Sequence, residues 1–214
     1  MSMSVTPTDL TAWITRFDAL IAEHEAELTA LDSEIGDADH GSNMARGMRA
    51  VVAKLSAELP ATPAELGKTV GMTLVSTVGG ASGPLYGTLF LRLGTSAGDR
   101  TELDAAELGA ALRAGVEGVV ARGKAEPGDK TMIDALLPAV DAWDAAVGKG
   151  GGVAEAATAA LEAAEQGRDA TIPLVARKGR ASYLGERSAG HMDPGAASAT
   201  LLMAALRDAL EAAT

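Results

Sequence analysis

The sequence predicts an all-α fold, with eight antiparallel helices in one up-and-down bundle. Apolar residues recur at helical spacing along most of the chain, and no convincing alternating strand pattern interrupts them. Aromatic residues are only 3% of the 214 residues while Ala and Gly abound, so Leu, Val, Met and Ala must build the core on closely packed helices. The turns between periodic segments are mostly short, which makes successive helices antiparallel neighbours. A chain of this length buries a substantial core without covalent staples. A single domain over 1–214 is therefore expected.

The first helix is expected over 8–30, capped by Thr8, with Trp13, Phe17, Leu20, Ile21 and Leu28 at helical spacing. A Gly- and Asp-rich loop over 35–41 ends that pattern. A second helix follows over 42–59, carrying Met44, Met48, Val51, Val52 and Leu55. Pro60 and Pro63 break the chain before a third helix over 63–78. Its β-branched end, Val75 to Val78, fits a buried helix better than a strand. The low-bulk turn Gly79-Gly80-Ala81-Ser82-Gly83-Pro84 leads into a fourth helix over 84–97. Asp104 opens a fifth, reaching Arg122, and the turn Glu126-Pro127-Gly128-Asp129 precedes a sixth over 131–147. The glycine run 148–152 is too short for a domain linker and connects to an Ala-rich seventh helix over 153–166. The stretch 168–194 is expected to be irregular, and an eighth helix closes the chain over 194–212.

The chain has no cysteine, which excludes disulfides and thiolate metal sites and permits a cytoplasmic location. A net charge of −11 suits an acidic solvated surface and argues against a nucleic acid partner. A phosphate ligand on such a chain needs a counter-charge, which a divalent cation supplies. No basic region followed by an apolar run opens the chain, so no signal peptide is expected. No apolar stretch approaches the roughly 20 residues that span a bilayer, so no membrane association is expected.

The strongest local signal is Leu31-Asp32-Ser33-Glu34-Ile35-Gly36-Asp37-Ala38-Asp39-His40-Gly41. Clustered carboxylates repel one another unless solvent or cations compensate, and magnesium takes oxygen ligands of this kind together with phosphate and water. Asp37 and Asp39, two apart in a loop, can point to one side, and Asp32 at the end of the preceding helix can join them. Read from spacing alone, the same aspartates can also simply cap the next helix. His40 stands beside the cluster, where it could donate a hydrogen bond to phosphate. Gly41, Ser42 and Asn43 open a helix whose free N–H groups attract phosphate. The glycine turn that carries Ser82 into the fourth helix repeats this arrangement. Neither stretch matches the P-loop pattern, so a P-loop enzyme is excluded. Arg177, Lys178, Arg180 and Arg187 gather in the last irregular stretch, as a phosphate-clamping or a solvated loop.

Four segments, LDSEIGDADHG, GGASGPLYGT, GDKTMIDAL and GRASYLGERSAGHMDPGAAS, together resemble the L subunit of dihydroxyacetone kinase. They occur in that family's order and run from Asp32 to Ser198. The resemblance implies a barrel of eight antiparallel helices with a nucleotide pocket at one end. It implies that Asp32, Asp37 and Asp39 bind two magnesium ions and that the ligand is ADP or ATP. By the same resemblance His40, Gly41, Ser42, Asn43, Ala81 and Ser82 contact the phosphates. Gly123 and Met132 line the adenine pocket, Arg180 reaches a phosphate, and Asp193, Pro194 and Gly195 border the nucleoside. The family commonly has Gly between the last two aspartates, where this chain has Ala38. A left-handed conformation there would cost roughly 1 kcal/mol.

The resemblance further implies that the ketose is held by a partner, subunit K, and that this chain supplies the phosphoryl donor. No side chain is then expected to act as nucleophile or base. Bound ADP is either rephosphorylated in place by subunit M, a phosphotransferase-system protein, or exchanged for ATP. A homodimer is the expected assembly. The rival readings are a magnesium-dependent phosphohydrolase with His40 as its base, a kinase for another small ketose or sugar alcohol, and a nucleotide-sensing regulatory module.

Overall fold

The computed structural model describes residues 4–213; residues 1–3 and 214 lie outside it. Helices α1 (Pro7–Glu23), α2 (Glu25–Ile35), α3 (His40–Ala57), α4 (Pro63–Thr77) and α5 (Ser82–Ala97) form the first half. Helices α6 (Ala105–Gly123), α7 (Ile133–Gly148) and α8 (Val153–Ala170), a 3-10 helix (Arg180–Ser188) and α9 (Pro194–Ala212) form the second. Among the described residues there is no strand, only one isolated antiparallel bridge between Val5 and Leu103.

Eight of these helices close a ring. From α3 to α9 each helix packs on the next, and α1 then closes the circle by packing on both α9 and α3. The eight-helix barrel expected from the sequence is therefore present. The additional helix, α2, arises because the stretch expected as one helix bends at His24, whose φ of −99° and ψ of 12° leave the helical range. Past that bend α2 leaves the ring and lies across one end of it, against α3 and α9.

Thr6, not Thr8, starts α1. Thr6 Oγ1 accepts from the Asp9 amide and Asp9 returns a bond to the Thr6 amide, a reciprocal cap followed by Pro7 at the first helical position. Asp104 and Glu107 make the same pair at α6, as the sequence led one to expect. The α3 and α5 helices begin two residues earlier than their expected starts at 42 and 84. These earlier starts, about half a turn each, matter because they bring His40 and Ser82 into first-turn positions.

The sparse aromatic residues sit where the ring needs bulk. Trp13 and Trp143 are fully buried, and their indole N–H groups donate to the Leu202 and Ala105 carbonyls at 2.9 Å each. Trp13 pairs with Phe90 at 5.7 Å between ring centroids, and Phe17 with Tyr86 at 6.1 Å, joining α1 to α5 across the interior. Elsewhere small residues let backbones approach. A Cβ on Gly67 would stand 2.6 Å from the Gly94 Cα, so α4 and α5 meet through two glycines. Among the described residues no helix is long and apolar enough to cross a membrane.

Candidate functional site

One end of the barrel opens into a cavity of about 420 Å³. The α2–α3 loop, the α4–α5 turn, the α6–α7 loop and the segment leading into α9 surround it. At its edge the loop 36–39 gathers Asp32, Asp37 and Asp39, each offering one carboxylate oxygen within 4.8 Å of the others. Local geometry dictates this convergence. Asp32, in the last turn of α2, turns one oxygen (Oδ2) back onto the amides of Asp39 and His40, at 2.8 and 3.1 Å. Those two bonds fold the loop over Asp32, and among the described residues no hydrogen bond reaches its Oδ1. Gly36 is required there, since a Cβ would fall 1.9 Å from Asp32 Oδ1. Ala38 takes a φ of +60°, so the strain foreseen from its lack of glycine is present.

Opposing charge at this triad is slight. Arg180, from the 3-10 helix, reaches Asp37 at 3.0 Å, and among the described residues no other cation pairs with the three aspartates. Three carboxylates against one exposed guanidinium leave a surplus of negative charge in a hard-oxygen donor set. The residues present fit magnesium on that ground.

Two helix N-termini face the same cavity. Ser82 opens α5 after Gly80, whose φ of +64° turns the chain. His40 opens α3 with its ring buried. His40 Nδ1 lies 3.1 Å from Ser82 Oγ, and Nε2 lies 2.9 Å from Ser198 Oγ. Burial holds the imidazole below its usual pKa against the pull of Asp32 and Asp39. With both nitrogens engaged and burial lowering its basicity, the ring is poorly placed to act as the base a phosphohydrolase would need.

The cavity collects most of the residues singled out by sequence. Asp32, Asp37, Asp39, His40, Asn43, Ala81, Ser82, Gly123, Met132, Arg180, Asp193, Pro194 and Gly195 all line it. Gly41 and Ser42 do not. Gly41 is buried against α2, where a Cβ would meet the Glu25 carbonyl at 2.1 Å, and the Ser42 hydroxyl turns back to the Asp39 carbonyl at 3.0 Å. Gly195 is explained by the wall it forms, as a Cβ there would crowd the Asp193 carboxylate at 3.0 Å.

Asp193 caps α9 through the Ala196 amide at 2.7 Å. Burial pushes its carboxyl up to about 7, with the charges of Asp134 and Asp32 adding to the rise and the Ala196 amide and Lys130 opposing it.

Sequence reasoning missed three residues. Lys130 is fully buried at a φ of +64°, and its ammonium donates to the carbonyls of Leu174, Ser188 and His191 at 3.0, 2.7 and 2.5 Å, with Ile172 at 3.4 Å. It fastens the segment 172–191 that carries Arg180 over the cavity. Tyr86 and Ser198, both buried, share a 2.7 Å hydrogen bond behind His40. All three lie within the four segments singled out above. Tyr86 stands four residues after Ser82, on the same face of α5, and that spacing was the available signal.

A closed helical ring with one open end, an acidic triad and two helix N-termini around a cavity defines a scaffold for an anionic ligand carried with a cation. The chain belongs to the DAK2 domain family, which it matches over residues 34–208. It is 48% identical over 201 residues to the ADP-binding subunit DhaL of the PEP-dependent dihydroxyacetone kinase of Escherichia coli, covering 94% of this chain and 96% of that one. Against the corresponding subunit of the PTS-dependent dihydroxyacetone kinase of Lactococcus lactis it is 43% identical, covering 91% and 93%. The crystal structure of the dihydroxyacetone kinase of C. freundii with AMP-PNP and Mg2+ superposes with a TM-score of 0.73 at 28% identity, over 97% of this chain. This chain spans 35% of that longer one.

Proposed function

We propose that this chain is the nucleotide-binding, phosphoryl-donor subunit of a dihydroxyacetone kinase, acting in the cytoplasm as a single domain over 1–214. The observation that carries the reading is the carboxylate triad of Asp32, Asp37 and Asp39 at the edge of a cavity faced by two helix N-termini. Asp32, Asp37 and Asp39 would hold two magnesium ions. Magnesium held there would supply positive charge against the negative charge that develops on the transferred phosphoryl group.

The chain's own residues bind and orient the nucleotide. The N-terminal turns of α3 and α5, from His40 to Asn43 and at Ala81 and Ser82, offer N–H groups to the phosphates. For Gly41 and Ser42 only the backbone can serve, since neither side chain faces the cavity. Arg180, already at the triad, supplies a fork for a phosphate oxygen. The buried Met132 and the bare surface of Gly123 give adenine an apolar slot, and Asp193, Pro194 and Gly195 border the nucleoside.

No residue set beyond these is left for a ketose, so the acceptor comes on another chain, a K subunit. The relatives' PEP and PTS dependence supports rephosphorylation of bound ADP by an M subunit rather than ATP exchange. The working assembly includes a homodimer of this chain. The test follows dihydroxyacetone phosphate with each component omitted in turn. This chain with ATP and magnesium alone is expected to give none, and a matching K subunit with a phosphorylated M subunit restores product. Robust product from this chain alone would make it a self-sufficient kinase and end the subunit reading.

A further inference from the structure

Four cations line the cavity: Arg122, Lys130, Lys178 and Arg180. Two of them are engaged within the chain, Lys130 by backbone carbonyls and Arg180 by Asp37. Among the described residues, the side chains of Arg122 and Lys178 meet no carboxylate and no hydrogen-bond acceptor. Arg122 is exposed in the last turn of α6, where water solvates it and the helix C-terminus favours its charge. Lys178 has neither compensation.

The chain's six lysines make the contrast plain. Lys54, Lys68, Lys124 and Lys149 are exposed, and Lys130 is buried with its donors taken up by carbonyls. Lys178 is half-buried and unpartnered among the described residues. A lysine with a covered stem carries its head out to water, and for Lys178 the way out is the cavity. An ammonium drawn from bulk water without a counter-charge is unfavourable, so its place in this wall suits an anionic ligand.

Arg177, Lys178, Arg180 and Arg187 form one basic stretch in the sequence, and the fold divides it. Lys178 and Arg180 line the cavity, whereas Arg177 and Arg187 are exposed outside it. Only Gly179, at a φ of +65°, separates the two that line it. Two chain steps keep their Cα atoms within about 7 Å of each other. The unpartnered ammonium therefore belongs to the same wall as the guanidinium that meets the triad at Asp37.

We propose that Lys178 is a ligand-contacting residue, whose ammonium bonds an oxygen of a phosphate chain beside the carboxylate triad. Arg180 answers the charge of Asp37, and Lys178 brings a cation that no carboxylate of the chain claims. The two also differ in kind, a planar fork beside a point charge on a flexible stem. That the phosphates belong to a nucleotide rests on the function proposed above, whereas the anion contact rests on the cavity wall alone.

Calorimetric titration of ADP with magnesium, pyrophosphate with magnesium, and adenosine tests the contact. Lys178→Gln is expected to weaken ADP and pyrophosphate by at least about tenfold each, the scale of one charge-assisted hydrogen bond. It should leave adenosine unchanged. Lys178→Met, which keeps the apolar stem, should give the same pattern and guards against a disturbed segment in the first variant. Arg177→Gln removes the neighbouring charge outside the cavity, and screening should hold its effect within about twofold for all three ligands. ADP affinity unchanged in both Lys178 variants, or lost equally in Arg177→Gln, would overturn the contact. An equal loss for adenosine would also overturn it, because the substitution would then act through the fold of the segment. A wild type that binds pyrophosphate through Lys178 but no ADP removes the nucleotide reading and keeps the contact. One that binds neither overturns both.

Discussion

Ala38 holds a left-handed backbone between two aspartates, and a Cβ is an expense there that glycine avoids. Ala38→Gly should therefore stabilise the folded protein by about 1 kcal/mol, or roughly 2–4 °C in melting temperature for a chain of this size. A melting temperature that falls on substitution would contradict the strain. This detail was legible from sequence, because a residue that departs from a loop's usual glycine names its own cost. The protonation of Asp193 was not legible, since it depends on burial by elements distant in the chain. Its folded pKa of about 7 lies above the ordinary carboxylate value of 3.8, so between those two values the folded state holds a proton that the unfolded state has released. Asp193 thus favours folding below pH 4 and progressively loses that contribution as pH rises through about 7. Asp193→Asn retains an oxygen for the Ala196 amide and cannot ionise. Unliganded Asp193→Asn is expected to gain on wild type in melting temperature between pH 4 and 7, and a constant offset across that window would refute the buried carboxyl.

Among the elements, the eight ring helices were read from the sequence, several of them to their ends, whereas α2 and the 3-10 helix within the stretch expected to be irregular were not. Capping chemistry at Asp104 is local and could be read, whereas the bend at His24 depends on α2 leaving the ring to lie against α3 and α9. The segment 172–191 looked irregular because its order comes from one side chain far away in sequence. Lys130 ties four of its carbonyls together, and the Arg177 and Gly190 amides close the same segment onto Asp129 and Ile172. Lys130→Met keeps the length and removes the donors, leaving buried carbonyls unpaired at about 1–3 kcal/mol for the first alone. Amide exchange at Arg177 and Gly190 should then accelerate well beyond that of the α4–α5 pair. Uniform exchange through the whole molecule, or none gained at the segment, would show that Lys130 does not hold it.

At the scale of the whole molecule, the ring explains how a chain with a net charge of −11 can serve an anionic ligand. On the proposed reading the triad's excess negative charge would recruit cations to one end, and those cations with the two helix N-termini would recruit phosphate. A ligand bound only by the folded ring stabilises it by mass action, about 2.7 kcal/mol at a hundredfold excess over the dissociation constant. ADP with magnesium should accordingly raise the melting temperature by roughly 5–10 °C, and a chelator should reverse the gain. The most direct measurement of the central claim is calorimetric titration of ADP into the wild type and into Asp32→Asn, Asp37→Asn and Asp39→Asn, each with magnesium and with chelator. Tight binding is expected only for the wild type with magnesium, with each substitution weakening it by at least about tenfold, the loss that disturbing even the outer partners of a metal site produces. Equal ADP affinity in chelator, or affinity unchanged in all three variants, would contradict the assignment of this triad as the cation site.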